Sequence, residues 1–118
     1  MSSTANARLP YAALAHVDRE KIDEYLLNPA KSRGKAEFFL RFGFSSVEWQ
    51  RFAAALIEHG RACHVANRVE SEYGTRYSVD GPIATPSGRT PLIRTVWIVE
   101  HGKRAPRLIT AHPIKETS

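Results

Sequence analysis

A hydroxyl and an imidazole fall two residues apart near the end of the chain, Thr110 and His112 in "RLITAHPI", residues 107–114. In a β-strand that spacing puts both on one side, with Leu108. Other polar residues stand on the apolar segments before it: Tyr73, Arg76, Tyr77, Asp80, Arg94, Thr95 and Trp97, with Lys35 far upstream. Imidazole, guanidinium, ammonium, hydroxyl and phenol together suit metal-independent RNA cleavage. The 2′-hydroxyl must lose a proton and attack the adjacent phosphate. This requires a base, a cation for the developing charge and an acid for the leaving oxygen. His112 is the expected base or acid, because the unperturbed pKa of histidine lies near neutrality. Arg94, or Lys35 reaching over, is expected to stabilise the phosphorane. Thr110 is expected to hydrogen-bond the phosphate, and Tyr73 or Tyr77 to stack on a base or donate a proton. The candidate catalytic set is His112, Arg94, Thr110, Tyr77 and Lys35, with no cofactor and no metal.

Each of these residues also has a structural role open to it. Threonines are good strand formers. Tyr73-Gly74 suits a turn, and Asp80-Gly81-Pro82 suits a bend or strand end. Arg94 lies inside an apolar strand, so it must be paired or reach the surface, since an unpaired buried charge is costly. Cys63 is the single cysteine. It permits no internal disulfide, fits a reducing compartment and reads as a small buried hydrophobe rather than a nucleophile. The five histidines, at 16, 59, 64, 101 and 112, show no paired ligand spacing with it, so no zinc site is expected. The sequence contains no P-loop, GxSxG, HExxH or GxGxxG motif.

These residues need a scaffold, and 118 residues suffice for one domain with a real core. Hydrophobic residues make up 42% and charged residues 25%, ordinary values for a globular protein. No apolar run approaches the roughly 20 residues that span a bilayer. No secretion signal is expected at the N-terminus, and a cytoplasmic location without membrane contact is the expectation. Residues 1–10 read as a loose arm, 11–114 as a single domain and 115–118 as a polar tail. The net charge of +5 permits RNA as a partner, although the basic residues are spread rather than clustered.

A helical half precedes a strand half. Asp18 is the expected N-cap of a helix over "REKIDEYLL", whose Ile22, Tyr25 and Leu26 form an apolar face that ends at Asn28-Pro29. A second helix is expected over "GKAEFFLRF", closed by Gly43. Ser45 and Glu48 form a capping box for a third, with Phe44 and Trp49 as a hydrophobic staple, running through Phe52, Leu56 and Ile57 to Gly60. Strands follow over "HVANRVES", "TRYSVDGPIA", "TPLIRTVWIVE" and "RLITAHPI", joined by short polar turns. The expected fold is α+β, with three N-terminal helices packed on one face of a four-stranded antiparallel β-meander. Two registers are open for the last hairpin. One sets Thr95 opposite His112 and Trp97 opposite Thr110. The other sets Arg94 opposite His112 and Val96 opposite Thr110, and only this one puts a guanidinium beside the imidazole.

Several stretches carry a resemblance: "EYLLNP" at 24–29, "GKAEFFLRFGF" at 34–44, "EYGTRYSVDGP" at 72–82, "RTPLIRTVWIVE" at 89–100 and "RLITAHP" at 107–113. On these the chain resembles an uncharacterised bacterial domain family, over nearly all residues from about position 9. Such domains look similar to the C-terminal modules of bacterial polymorphic toxins and to small stand-alone operon proteins. The resemblance implies one member of a toxin pair. The order of elements also resembles that of the barnase/RelE-like ribonuclease superfamily, in which helices precede a four-stranded antiparallel sheet bearing scattered His, Arg, Lys, Ser/Thr and Tyr. The leading expectation is a toxin-type, metal-independent RNA endonuclease acting through a polar cluster on the open sheet face. The alternative is a non-enzymatic protein-binding module, immunity- or antitoxin-like or an adaptor. There the partner is a cognate protein, with Trp97 and the tyrosines as anchors. A charge of +5 weighs against an inhibitor that mimics RNA.

Overall fold

The computed structural model describes residues 7–114. A 3₁₀ turn, Ala12–Leu14, leads into three helical segments and then four strands. The first segment, α1 (Arg19–Lys21), runs directly into a π-helical turn, Ile22–Leu26, closed by Leu27 N–H donating to Ile22 O at 2.8 Å. α2 spans Pro29–Arg41 and α3 spans Trp49–Ala62. The strands are β1 (His64–Ser71), β2 (Gly74–Pro82), β3 (Leu92–Glu100) and β4 (Arg107–Pro113), paired antiparallel in the order β1-β2-β3-β4. This is the expected α+β architecture, and β1 begins and ends where "HVANRVES" does.

The helix boundaries differ in ways that matter for the site. Asp18 occupies the N-cap position of α1 but makes no side-chain cap. Asn28 ends one helix and starts the next: its side chain accepts from Ala30 N–H at 3.0 Å and Pro29 takes the first helical position. α2 therefore begins before the expected Gly34 and bends at Ser32, whose backbone leaves helical geometry (φ −149°, ψ 70°). The Ser32 hydroxyl donates to Tyr25 O, tying the two helical segments together at the bend. Gly43 does close α2, at φ +103°, a conformation that disfavours any side chain.

α3 starts at Trp49 rather than directly after Ser45. Ser45 Oγ accepts from Glu48 N–H at 3.4 Å, but the helix takes its first turn from the Glu48 carbonyl. Phe44 does not staple Trp49. It stacks on Phe52 at 4.4 Å between ring centroids and packs near Phe39. α3 also passes Gly60, the expected end, by two residues. A Cβ at Gly60 would meet the Trp97 indole at 2.7 Å, so the glycine lets α3 lie against the sheet.

The core lies between the helices and one sheet face. Ile93, Thr95 and Trp97 of β3 point into it with Val79 of β2 and Leu108 and Ala111 of β4, against Phe39, Phe52 and Leu56. Full burial of each large apolar side chain contributes about 1.5–3 kcal/mol. Residues 7–10, expected within a loose arm, are tied to this body. Ala7 O accepts from Val65 N–H at 2.9 Å, Arg8 Nη1 donates to Ala62 O at 2.6 Å, and Leu9 is 3% exposed. Leu9 is apolar enough to dock, which offsets the ordering entropy. The expected tail at 115–118 and positions 1–6 lie outside the described residues. At the other sheet edge, His16 bridges Arg107 in parallel, covering part of β4.

Candidate functional site

The last hairpin adopts the register that unites Arg94 with His112. Arg94 pairs with His112, Thr95 with Ala111 and Val96 with Thr110. Trp97 then pairs with Leu108, leaving Ile109 as a bulge. The bulge lets Trp97 and Leu108 share the core face while Thr110 and His112 keep the other side of β4. Trp97 is therefore a core residue, fully buried, and not an anchor on an open face. On β2, Asp80 pairs with Arg94, and on β1, His64 pairs with Asp80. His64, Asp80, Arg94 and His112 form one row across all four strands on the face away from the helices.

Arg94 is not free in this row. Its Nε and Nη2 donate to the two Asp80 carboxylate oxygens at 2.7 and 2.8 Å, a bidentate pair. The Asp80 hydrogen bonds push the guanidinium still further toward its charged form. The two side chains remain 36% and 30% exposed. Arg94 thus presents a guanidinium in fixed orientation whose charge is largely balanced. His112 Nδ1 lies 3.2 Å from Pro113 O. An Nδ1–H donating to that carbonyl leaves Nε2 with its lone pair facing outward.

Lys35 leaves α2 one turn after the Ser32 bend and reaches β4. Its Nζ donates to Tyr25 Oη at 2.7 Å and to Thr110 Oγ1 at 3.0 Å, and sits 4.9 Å from the centre of the Tyr25 ring. Three separate elements, the π-helical turn, α2 and β4, meet in this triad. The Lys35 hydrogen bond, helped by Thr110, pulls the Tyr25 phenol below its ordinary pKa. Thr110 and His112 are two residues apart on β4, about 7 Å. The structure thus brings Lys35 to Thr110 and places His112 and Arg94 alongside.

Tyr77 does not join them. It pairs with Trp97, which turns its ring to the helix side, where it packs half-buried against the core. The one-residue alternation of β2 decides this. Tyr25 occupies the place expected for a β-sheet tyrosine. It reads in the sequence as part of the apolar stripe of the first helix, and only the Ser32 bend turns its hydroxyl toward Lys35. Asp80, read as part of a bend or strand end, holds Arg94. Cys63 is half-buried and burial pushes its thiol up, the opposite of an activated nucleophile.

A second polar cluster is sealed under α3. Trp97 Nε1–H donates to Thr95 Oγ1 at 2.8 Å, and Thr95 Oγ1 lies 3.0 Å from His59 Nδ1. His59 Nε2 lies 3.0 Å from Gly81 O and 3.2 Å from Ile93 O. Carbonyls only accept, so Nε2 carries the proton and Thr95 donates its own to Nδ1. Burial lowers the His59 pKa, keeping the ring neutral. No described helix is long and apolar enough to cross a membrane.

The chain belongs to the family described as Domain of unknown function (DUF6883), which it matches over residues 8–115. No curated protein matches it. Among solved structures it is similar to a chain of the contact-dependent growth inhibition toxin–immunity protein complex from Klebsiella pneumoniae 342. The TM-score is 0.63 and the identity 19%, over 89% of this chain and 97% of that one. That likeness is one of fold.

Proposed function

We propose that the protein is a toxin-type RNA endonuclease that works without a metal, with Lys35, Thr110, Tyr25 and His112 as its working residues. The observation that carries this reading is the Tyr25–Lys35–Thr110 triad, in which a cation from a helix is held on the sheet by two hydroxyls. Lys35 and Thr110 bind the non-bridging phosphate oxygens, with Tyr25 bonded to the same ammonium and His112 two residues along β4 from Thr110. They supply the acid and the base that the displacement needs. His112 Nε2 takes the 2′-hydroxyl proton, the 2′-oxygen bonds to phosphorus, and the bond from phosphorus to the 5′-oxygen breaks. Tyr25, made more acidic by Lys35, gives its proton to the departing 5′-oxygen. The products are a 2′,3′-cyclic phosphate and a 5′-hydroxyl. Arg94, already bonded to Asp80, contributes field and position rather than a direct phosphate clamp.

The order of helices before a four-stranded sheet supports the barnase/RelE-like comparison, and the toxin–immunity complex that resembles the chain in fold supports a toxin system with a cognate protein partner. The same comparison favours the second reading, an immunity-like binding module, to the extent that its complex contains both kinds of protein. Cleavage decides between the two. Purified protein is incubated with RNA in excess chelator, and the product ends are identified. Wild type is expected to give cyclic phosphate ends, and His112→Ala, folded by circular dichroism, to give none. Cleavage retained in the folded variant overturns the assignment. Absence of cleavage by wild type, with capture of a cognate protein, selects the binding module.

A further inference from the structure

Beyond the triad, the sheet carries a second concave site at the β1–β2 turn end. Ile98 points away from the helices, in register with Arg76 of β2 and Arg107 of β4, yet it is only 5% exposed. The bulge residue Ile109 turns to the same side, and the two isoleucines floor a cavity of about 300 Å³. Tyr73 at the β1–β2 turn forms its wall and is 67% exposed. Lys21, Arg76 and Arg107 ring it, opposed by one carboxylate, Glu100, which lies 3.4 Å from Arg107. Arg76 makes no ion pair among the described residues.

We propose that this cavity is a nucleotide-binding subsite that takes the base and phosphate of a nucleotide flanking the cleaved bond, an inference that rests on the RNA reading above. An apolar floor with an exposed aromatic wall suits the flat face of a base, and a ring of cations suits its phosphate. The volume sits at the small end of ligand pockets, enough for one base. Continuity with the triad supports the same assignment. Lys21 and Arg107 also line the neighbouring cleft that contains Tyr25, and Lys21 Nζ stands 5.2 Å from the Tyr25 ring centre. Arg107 is three residues before Thr110, about 10 Å along β4. A single strand running from Lys35 along this edge reaches the cavity at a neighbouring nucleotide. Glu100 supplies an acceptor for the amino or imino hydrogens of a base, which gives the subsite a means of preferring one base over another.

The test uses a fluorescent 2′-O-methyl RNA tetranucleotide, which binds but has no free 2′-hydroxyl to attack. Binding to the full chain is measured by anisotropy across a salt series. Tyr73→Ala is expected to weaken binding about tenfold, the size of a lost base stack. Tyr73→Phe is expected to bind as wild type, because the ring remains. Arg76→Ala is expected to reduce the salt dependence by about one ion. Tyr73 lies exposed at a turn, so its variants test contact rather than folding. Tyr73→Ala binding equal to wild type, in a protein that still cleaves RNA, removes the subsite and leaves the nuclease. Binding that depends on Tyr73 and Arg76 in a protein that never cleaves keeps the subsite and removes the nuclease. Absence of binding by wild type removes the subsite.

Discussion

His59, Thr95 and Trp97 on the helix side of the sheet use nearly the same chemistry as His112, Thr110 and Tyr25 on the other side of β4: an imidazole, a hydroxyl and a polar aromatic. The first set is buried and closed. Each polar hydrogen has an acceptor, from indole to hydroxyl to imidazole to two backbone carbonyls. The second set is half-exposed and incomplete. Lys35 has a third hydrogen to give, the outward imidazole nitrogen of His112 has no protein partner among the described residues, and the Tyr25 phenol is pulled toward ionisation. A polar group that is fully satisfied inside a protein fixes the fold, whereas one left with unused valence beside a cation is available to a substrate. Residue type does not separate the two roles. Burial and the direction of the hydrogen bonds do.

The widest separation between the two sets is expected from Lys35→Ala. It removes the cation that both hydroxyls hold, and RNA cleavage should fall by about 10²–10⁴, with thermal stability nearly unchanged. Stopped RNA cleavage and a melting curve, measured together, check this. A variant that cleaves normally would place the chemistry elsewhere. Next come two substitutions of one kind, Thr95→Val and Thr110→Val. The first strands the Trp97 indole hydrogen and the His59 nitrogen in the core, and should cost about 2–3 kcal/mol of stability. For a domain of this size that is a fall of roughly 10 °C or more in Tm. The second lies half-exposed, should leave Tm almost unmoved and should slow cleavage about tenfold, the worth of one hydrogen bond to phosphate. Equal losses of stability in the two valine variants would erase the distinction between closed and open sets.

The sequence was informative wherever a signal is local. The stretch "HVANRVES" at 64–71 marks β1 to the residue, and the Gly43 turn closes α2 where expected. It was silent where the answer is set across the fold. Either register of the last hairpin satisfied the loop, and the choice came from Trp97, which needs the Gly60 gap, and from the Ile109 bulge that reconciles Trp97 with Leu108. Tyr25 reads as a core residue because it falls in the apolar stripe with Ile22 and Leu26. Its pairing with Lys35 depends on a bend at Ser32 that no helix pattern announces. Asp80-Gly81-Pro82 reads as a bend or strand end, and β2 does end at Pro82, but the run does not announce that Asp80 pairs with Arg94 across the strand. Cross-strand partners are fixed by register, and register is a property of the whole sheet. The same limit placed Tyr77 in the candidate set, since its side of β2 follows from Trp97 opposite.

The smallest effect sharpens the comparison through pH. His59 is neutral in the fold, with its pKa lowered by burial, whereas the unfolded chain protonates near the ordinary value of 6.5. Below that pH the unfolded state binds the extra proton and the folded state does not, so folding weakens as the solution becomes more acid. Above it the two states bind equally and this dependence vanishes. The loss is at most about 1.4 kcal/mol for each pH unit between the unfolded and folded values. Denaturation curves at pH 7.5, 6.5 and 5.5 measure it. His112→Ala should keep the acid-side decline, because its ring lies outside the closed network. His59→Gln, if folded, should flatten it while still cleaving RNA at neutral pH. An acid-side decline that disappears in His112→Ala and persists in His59→Gln would reverse the roles of the two histidines.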